Sequence, residues 1–354
     1  FQLPNCWEFI ALSLACARIG AVANPVMPIF RQRELAFMLN FGEAKVFVVP
    51  KLFRGFDYET MARSMLGELP HLKQLVVIGG DGDDSFEARL LRDDTPPLAG
   101  VPIGPDDVLL LMYTSGTTGD PKGVMHTSNT LFSNLHAYRE RLELGPDDIV
   151  LGASPMAHLT GFGYLAMLPL ILNSTTVLQD VWEPRRALQI VCAENVSFSM
   201  ASAVFVADLC NAVEAGEATI ARFSKFCCAG APIPPMLIER ADRLMGMRIC
   251  SAWGMTENGA VTVTEPSRAL EKSGLSDGRP LPGMEVKVVD ANGHDLPAGA
   301  SGALLVRGAS QSGGYLKRPQ LNATSADGWF DTGDVAFIDA EGYIRISGRS
   351  KDVV

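Results

Sequence analysis

The stretch YTSGTTGDPKGV, residues 113 to 124, sets three glycines and five hydroxyl side chains, counting Tyr113, around a single lysine. Glycine lets backbone N–H groups approach an anion closely, and Thr114, Ser115, Thr117 and Thr118 can donate hydrogen bonds to its oxygens. Lys122 adds a point charge. Together these residue types suit a phosphate. The spacing is not that of a Walker A loop, which needs Ser or Thr after its lysine, whereas Gly123 follows Lys122.

The elements that must hold this loop read as an α/β chain. At 354 residues with 47% apolar content, the chain exceeds one ordinary core, so two or more subdomains are expected. Strands are expected at Lys45–Val49, Leu75–Ile78, Val108–Tyr113, Ile149–Ala153, Thr176–Leu178, Val196–Met200, Phe226–Ala229 and Arg248–Ala252. Helical segments lie between several of them, at Arg185–Glu194, Val204–Ala215 and Pro235–Leu244. That alternation predicts helices wound around largely parallel sheets. Near the N-terminus, Asn5 as cap, Glu8 in capping-box position and Gly20 at the far end predict a helix over Trp7–Ile19. After Pro282 the pattern changes to alternating strands, with turns at Asn292-Gly293 and Ala340–Gly342, which predicts a small β subdomain.

Composition narrows the function classes. The net charge is −10 and no basic cluster is visible, which argues against a nucleic-acid groove. The seven cysteines lack metal-ligand spacing and mostly sit in apolar runs, as expected of reduced core thiols in a cytoplasmic protein. Two apolar stretches, 9 to 30 and 159 to 172, read as buried elements: the first carries Arg18 and two prolines, and the second is too short to span hydrocarbon. No integral membrane segment is therefore expected.

The loop is joined by three further pieces: CCAGAPIP (227 to 234), SAWGMTE (251 to 257) and GWFDTGD (328 to 334) followed by GRSKD (348 to 352). With them the chain strongly resembles the adenylate-forming acyl-activating superfamily: acyl-CoA synthetases, firefly-type luciferases and the adenylation domains of peptide synthetases. The resemblance implies αβαβα layers over residues 1–281, N-terminally incomplete, and a small β-barrel-like subdomain over 282–348. It also implies a hinge segment at 349–354 with Lys351 at the hinge, leading to a C-terminal domain missing from this chain. It implies that Ser115, Gly116, Thr117, Thr118 and Gly119, with Thr114 and Lys122, wrap the terminal phosphates of ATP. Gly230, Ala231 and Pro232 would line the adenine, with Trp253, Gly254 and Met255 beside it. Thr256 would touch phosphate, Glu257 would hold Mg²⁺, and Asp334 and Arg349 would meet the ribose. Trp253 stands where the superfamily more often has tyrosine.

The implied reaction has two steps: a carboxylate attacks the α-phosphorus of ATP, and the acyl-AMP then passes to a thiol, usually that of coenzyme A. The stretch from Leu151 to Gln179 holds no Asp, Glu, Lys or Arg. It borders the acyl pocket by resemblance, and a buried ammonium without a partner is costly, so an amino-acid substrate is disfavoured. His158 matches a position beside the substrate carboxylate, and Phe162, Val204, Trp253 and Met255 are candidate wall residues. Residues 24 to 46 are similar to ligases for cyclohexanecarboxylate and medium-chain acids. Two other readings stay open: an adenylation domain serving a carrier protein, and a nucleotide-binding module that has lost catalysis. Oligomeric state is not legible.

Overall fold

The computed structural model describes residues 1–96, 100–114, 121–216 and 223–350. Near the N-terminus, β1 (Val46–Pro50) pairs in parallel with β4 (Gln74–Ile78), and a short hairpin, β2 (Leu52–Phe53) with β3 (Phe56–Asp57), lies between them. Helices Gln32–Phe41 and Tyr58–Met65 cover this pair, burying Leu35, Met38, Met61 and Met65 on it. Next, β5 (Val108–Thr114) runs antiparallel to β6 (Lys122–Thr127), so that Thr114 faces Lys122 across the pair.

A seven-stranded sheet forms the centre. Its strands are β7 (Ile149–Gly152), β8 (Thr175–Leu178), β9 (Phe198–Ala201), β10 (Lys225–Ala229), β11 (Arg248–Met255), β12 (Gly259–Val263) and β13 (Arg279–Pro280), in the spatial order β13-β12-β11-β10-β9-β7-β8. The five from β11 to β8 are parallel and the last two antiparallel. Successive residues of each strand feed different cores. Phe198, Met200, Cys227 and Cys250 face one, with the helix Ser128–Arg141 packed there, while Leu151, Phe226, Cys228 and Ile249 face the other, under helices Pro184–Glu194, Ala203–Glu214 and Pro235–Met245. Burial on both faces explains why these strands read as continuous apolar runs. It also pushes the thiols of Cys227, Cys228 and Cys250 above the ordinary cysteine range, leaving them inert packing groups.

An open antiparallel meander completes the chain: β14 (Met284–Val289), β15 (Gly302–Gly308), β16 (Phe330–Ile338) and β17 (Ile344–Arg349). Its turns use Gly293 and Gly342, both with positive φ, each N–H donating to the carbonyl three residues before it. Among the described residues, no helix is long and apolar enough to cross a membrane. The apolar run 159 to 172 is instead a helix interrupted by a π-helical turn, Phe162–Met167, whose residues are all buried.

The N-terminal helix spans Trp7–Ile19 and ends at left-handed Gly20, but its cap is Cys6, with no side-chain bond. Asn5 has other work. Its Nδ2 donates to the carbonyls of Gly152, Ser154 and Gln179, and its Oδ1 accepts from the Met156 N–H at 2.9 Å. The buried backbone where β7 and β8 end needs partners, and satisfying groups from both strand ends outweighs one helix cap.

Candidate active site

A cleft of about 1050 Å³ opens between the central sheet and the meander. Its floor is made where the parallel strands stop: Ser154 beyond β7, Ala201 and Ser202 at the end of β9, Ala229 and Gly230 at the end of β10, and Trp253 to Glu257 at the end of β11. The carboxyl ends of parallel strands are where α/β sheets bind ligands. The facing wall comes from Thr114, Lys122, Tyr315, Phe330 to Gly333, Arg349 and Ser350.

The polar end of the cleft is organised by β6. One edge of this strand pairs with β5. The other receives the segment 313–316: Gly313 donates to the Met125 carbonyl, Met125 to Gly314, and Leu316 to Gly123, at 2.8 to 3.0 Å. Tyr315 is thereby set with its ring centroid 5.0 Å from the Lys122 Nζ, a cation–π arrangement, and its hydroxyl donates to Glu257 Oε1 at 2.7 Å. The Glu257 carbonyl accepts from the Ser312 N–H at 2.7 Å. From near the end of β6, the buried imidazole of His126 donates through Nε2 to the Thr256 carbonyl at 2.6 Å, while Nδ1 meets Thr130 Oγ1 at 3.0 Å. Burial lowers the pKa of His126, favouring the neutral ring, and the Thr256 carbonyl, which can only accept, puts the proton on Nε2. One strand therefore sets Lys122, Thr256 and Glu257 relative to one another.

The turn carrying Thr256 depends on Gly254. A bulge interrupts the β11–β12 register there, and a Cβ on Gly254 would lie 2.0 Å from the Gly259 carbonyl oxygen, so any larger residue would push the two strands apart. Glu257 suits a hard cation: it is a carboxylate at the cleft surface, only 7% exposed. Among the described residues no group of three or more His, Cys, Asp or Glu side chains gathers at one point. A Mg²⁺ at Glu257 would thus take its remaining ligands from phosphates and water, as this ion commonly does.

Asp334 and Arg349 sit opposite each other on β16 and β17, with Arg349 Nε 2.8 Å from Asp334 Oδ1. Across the cleft, the Trp253 indole N–H donates to Asp334 Oδ2 at 3.1 Å. Burial raises the pKa of Asp334, opposed by the Arg349 charge and the Trp253 bond. Gly230 and Met255 line the cleft beside them, whereas Ala231 and Pro232 are exposed just outside its lining.

The other end of the cleft is apolar and carries no formal charge: Met27, Pro155, His158, Leu159, Tyr164, Met200 and Phe205. His158 accepts from the Thr160 N–H at Nδ1, 3.2 Å, which leaves Nε2 as the protonated nitrogen of the neutral ring. Desolvation against the wall holds its pKa below the ordinary histidine value. Two expected wall residues are elsewhere. Phe162 is 1% exposed and packs edge-on to Phe9, at the start of a π-helical turn whose residues are all buried. Val204 is 64% exposed on the first turn of its helix, and its neighbour Phe205 is the residue that faces the cleft. Ser115, Gly116, Thr117, Thr118, Gly119 and Lys351 lie outside the described residues. His126, Tyr164, Phe205 and Tyr315 were not singled out from sequence. Only Tyr315 had a local signal, an aromatic directly after two glycines.

The family described as "AMP-binding enzyme" matches residues 1–316. The medium-chain fatty-acid–CoA ligase of Escherichia coli (strain K12) is 33% identical over an alignment taking in 100% of this chain and 63% of that protein. A feruloyl-CoA synthase of Amycolatopsis sp is 32% identical, over 99% of this chain and 68% of the relative. Among solved structures, the Mycobacterium tuberculosis fatty acyl CoA synthetase superposes with a TM-score of 0.88 at 25% identity, covering 100% of this chain and 68% of that one. The chain thus spans less than two thirds of the length of the Escherichia coli relative.

Proposed function

The chain belongs to the AMP-binding enzyme family, the adenylate-forming superfamily that includes acyl-CoA ligases, and from this we propose that the protein activates an uncharged monocarboxylic acid with ATP and passes it to coenzyme A. One observation carries the reading: Lys122 at the start of β6 and Thr256 and Glu257 in the turn after β11 are brought together by His126 and Tyr315 at the polar end of a cleft whose other end is apolar and uncharged.

In the first step a carboxylate oxygen bonds to the α-phosphorus of ATP, the bond from that phosphorus to the bridging oxygen breaks, and pyrophosphate leaves with the electron pair. The chain's task is positioning and charge neutralisation rather than covalent work. Lys122 offsets the growing charge on the departing phosphates. Thr256 donates from a turn whose backbone His126 restrains. Glu257, oriented by Tyr315, would hold Mg²⁺, which when bound supplies further neutralisation of phosphate charge. At the acyl end, the Nε2 proton of neutral His158 is available to the substrate carboxylate, and Met27, Leu159, Met200 and Phe205 offer apolar surface. Asp334 and Arg349 would read the ribose, and the loop containing Ser115, Gly116, Thr117, Thr118 and Gly119 would enclose the terminal phosphates. In the second step the coenzyme A thiol attacks the acyl carbon and AMP leaves. The names of the relatives, which concern medium-chain fatty and feruloyl acids, favour the same substrate class.

Exchange of labelled pyrophosphate into ATP, measured on the full-length protein, tests the reading. Hexanoate to decanoate, cyclohexanecarboxylate or benzoate should support exchange, and amino acids should not. Exchange driven by amino acids alone would overturn it.

A further inference from the structure

Trp253 holds one end of a hydrogen bond that spans the cleft, from the central sheet to the meander. We propose that the Trp253 indole N–H is a positioning donor that keeps the Asp334 carboxylate open to both ribose hydroxyls, and so sets how strictly the site demands a ribonucleotide. The inference rests on the reading of Asp334 as the ribose acceptor.

An ionised carboxylate has about four acceptor positions on its two oxygens. Arg349 Nε takes one on Oδ1 and Trp253 Nε1 takes one on Oδ2, so each oxygen keeps a position for a hydroxyl. Arginine, with its fork of donors, tends to claim both oxygens of a carboxylate at once. The Arg349 side chain is 54% exposed and stands directly across the register from Asp334, in position to compete for the second oxygen. The indole prevents that from the opposite side by holding Oδ2 in place. Indole suits the task because it can only donate: it cannot turn round and compete for the ribose O–H as a phenol could. The Trp253 backbone is held by strand pairing with Thr262, and the Gly254 bulge beside it sets the strand close against Gly259. Asp334 is only 5% exposed, so its two bonds are not diluted by bulk water.

The test is calorimetric titration of the protein with ATP, 2′-deoxy-ATP and 3′-deoxy-ATP. It compares the native chain with Trp253→Phe, Asp334→Ala and the double variant. Asp334→Ala should weaken ATP and bring it level with the deoxy analogues. Trp253→Phe should weaken ATP about tenfold, the scale of one hydrogen bond to a charged group. The deoxy analogues should change far less, so that the ribonucleotide preference narrows by nearly the same factor. In the Asp334→Ala background, Trp253→Phe should affect ATP and the deoxy analogues alike. A benzothienylalanine at position 253, which replaces the N–H by sulfur in a ring of nearly the same shape, should reproduce Trp253→Phe, and it carries the test if the phenylalanine variant does not fold. Equal weakening of all three nucleotides by these changes would mean that Trp253 acts by stacking or by bracing the sheets, and the proposal falls. If Asp334→Ala itself leaves the preference intact, the ribose reading fails, whatever Trp253 does.

Discussion

At the polar end of the cleft, side chains from residues 122, 256, 257 and 315 are held by one strand and its hydrogen bonds, whereas at the apolar end Met27, His158, Met200 and Phe205 come from separate elements joined by packing. The first arrangement tolerates little displacement, since the Thr256 backbone and the Glu257 carboxylate are placed by hydrogen bonds of fixed length and direction, with Lys122 against the Tyr315 ring. The second allows walls to be exchanged, because apolar contact is non-directional. Such a division suits an enzyme whose nucleotide chemistry is constant and whose acid varies. It also explains why relatives of about 30% identity are named for acids as different as a fatty acid and ferulate.

The sharpest contrast lies between two phenylalanines. Phe162→Ala should lower unfolding stability by about 3 to 5 kcal/mol, the usual cost of emptying a buried aromatic site, with no selective effect on the acid used. Denaturant melts with pyrophosphate exchange at a permissive temperature would check this. Glu257→Gln should slow adenylation by about 100-fold or more even at saturating ATP, the scale expected when a group acting on transition-state charge is lost. A variant restored by more ATP would assign Glu257 to binding alone. Phe205→Ala should alter the relative kcat/KM for short and bulky acids by about tenfold, and should leave the KM for ATP nearly unchanged. Val204→Ala, one residue away and exposed, should stay within about 0.5 kcal/mol of the native chain in stability and leave the acid profile intact. If both variants shifted the profile alike, the wall would not be where Phe205 puts it.

Those pairs also mark what could be read from sequence. Lys122, Thr256, Glu257, Asp334 and Arg349 lie in short contiguous motifs, each of which declares its chemistry locally. The parallel sheet was legible because its strands are buried on both faces and read as apolar runs between helical segments. Tyr315 and His126 were not, because what gives them meaning is a partner 58 or 130 residues away. Phe162 could not be told from a wall residue, because an apolar side chain in an uncharged run serves a core or a pocket equally well, and here it is buried in the core. Asn5 looked like a helix cap by local rules, and the unpaired backbone after β7 took it instead. Locally declared chemistry survives in sequence, and pairings made by the fold do not.

The smallest expected effect is a pH dependence. Burial raises the Asp334 pKa, so its charge is lost on acidification earlier than for an ordinary aspartate. Affinity for ATP should therefore fall as pH drops through that raised value. For the ligand-free fold the sign is opposite. A carboxyl whose folded pKa exceeds its unfolded one stabilises the chain below the unfolded value, and that contribution is lost as pH rises through the folded value. Calorimetry across the acid range, on the native chain and Asp334→Asn, should show the nucleotide effect in the first and its absence in the second.

The central claim, a fixed phosphate end joined to an exchangeable acyl end, is tested most directly by a crystal structure with a non-hydrolysable acyl-AMP mimic. The account places the phosphate surrogate at Lys122 and Thr256, the ribose hydroxyls on Asp334, and the acyl chain against Phe205 and His158. An acyl chain lying toward Lys122 and Tyr315, or a ribose without contact to Asp334, would contradict it.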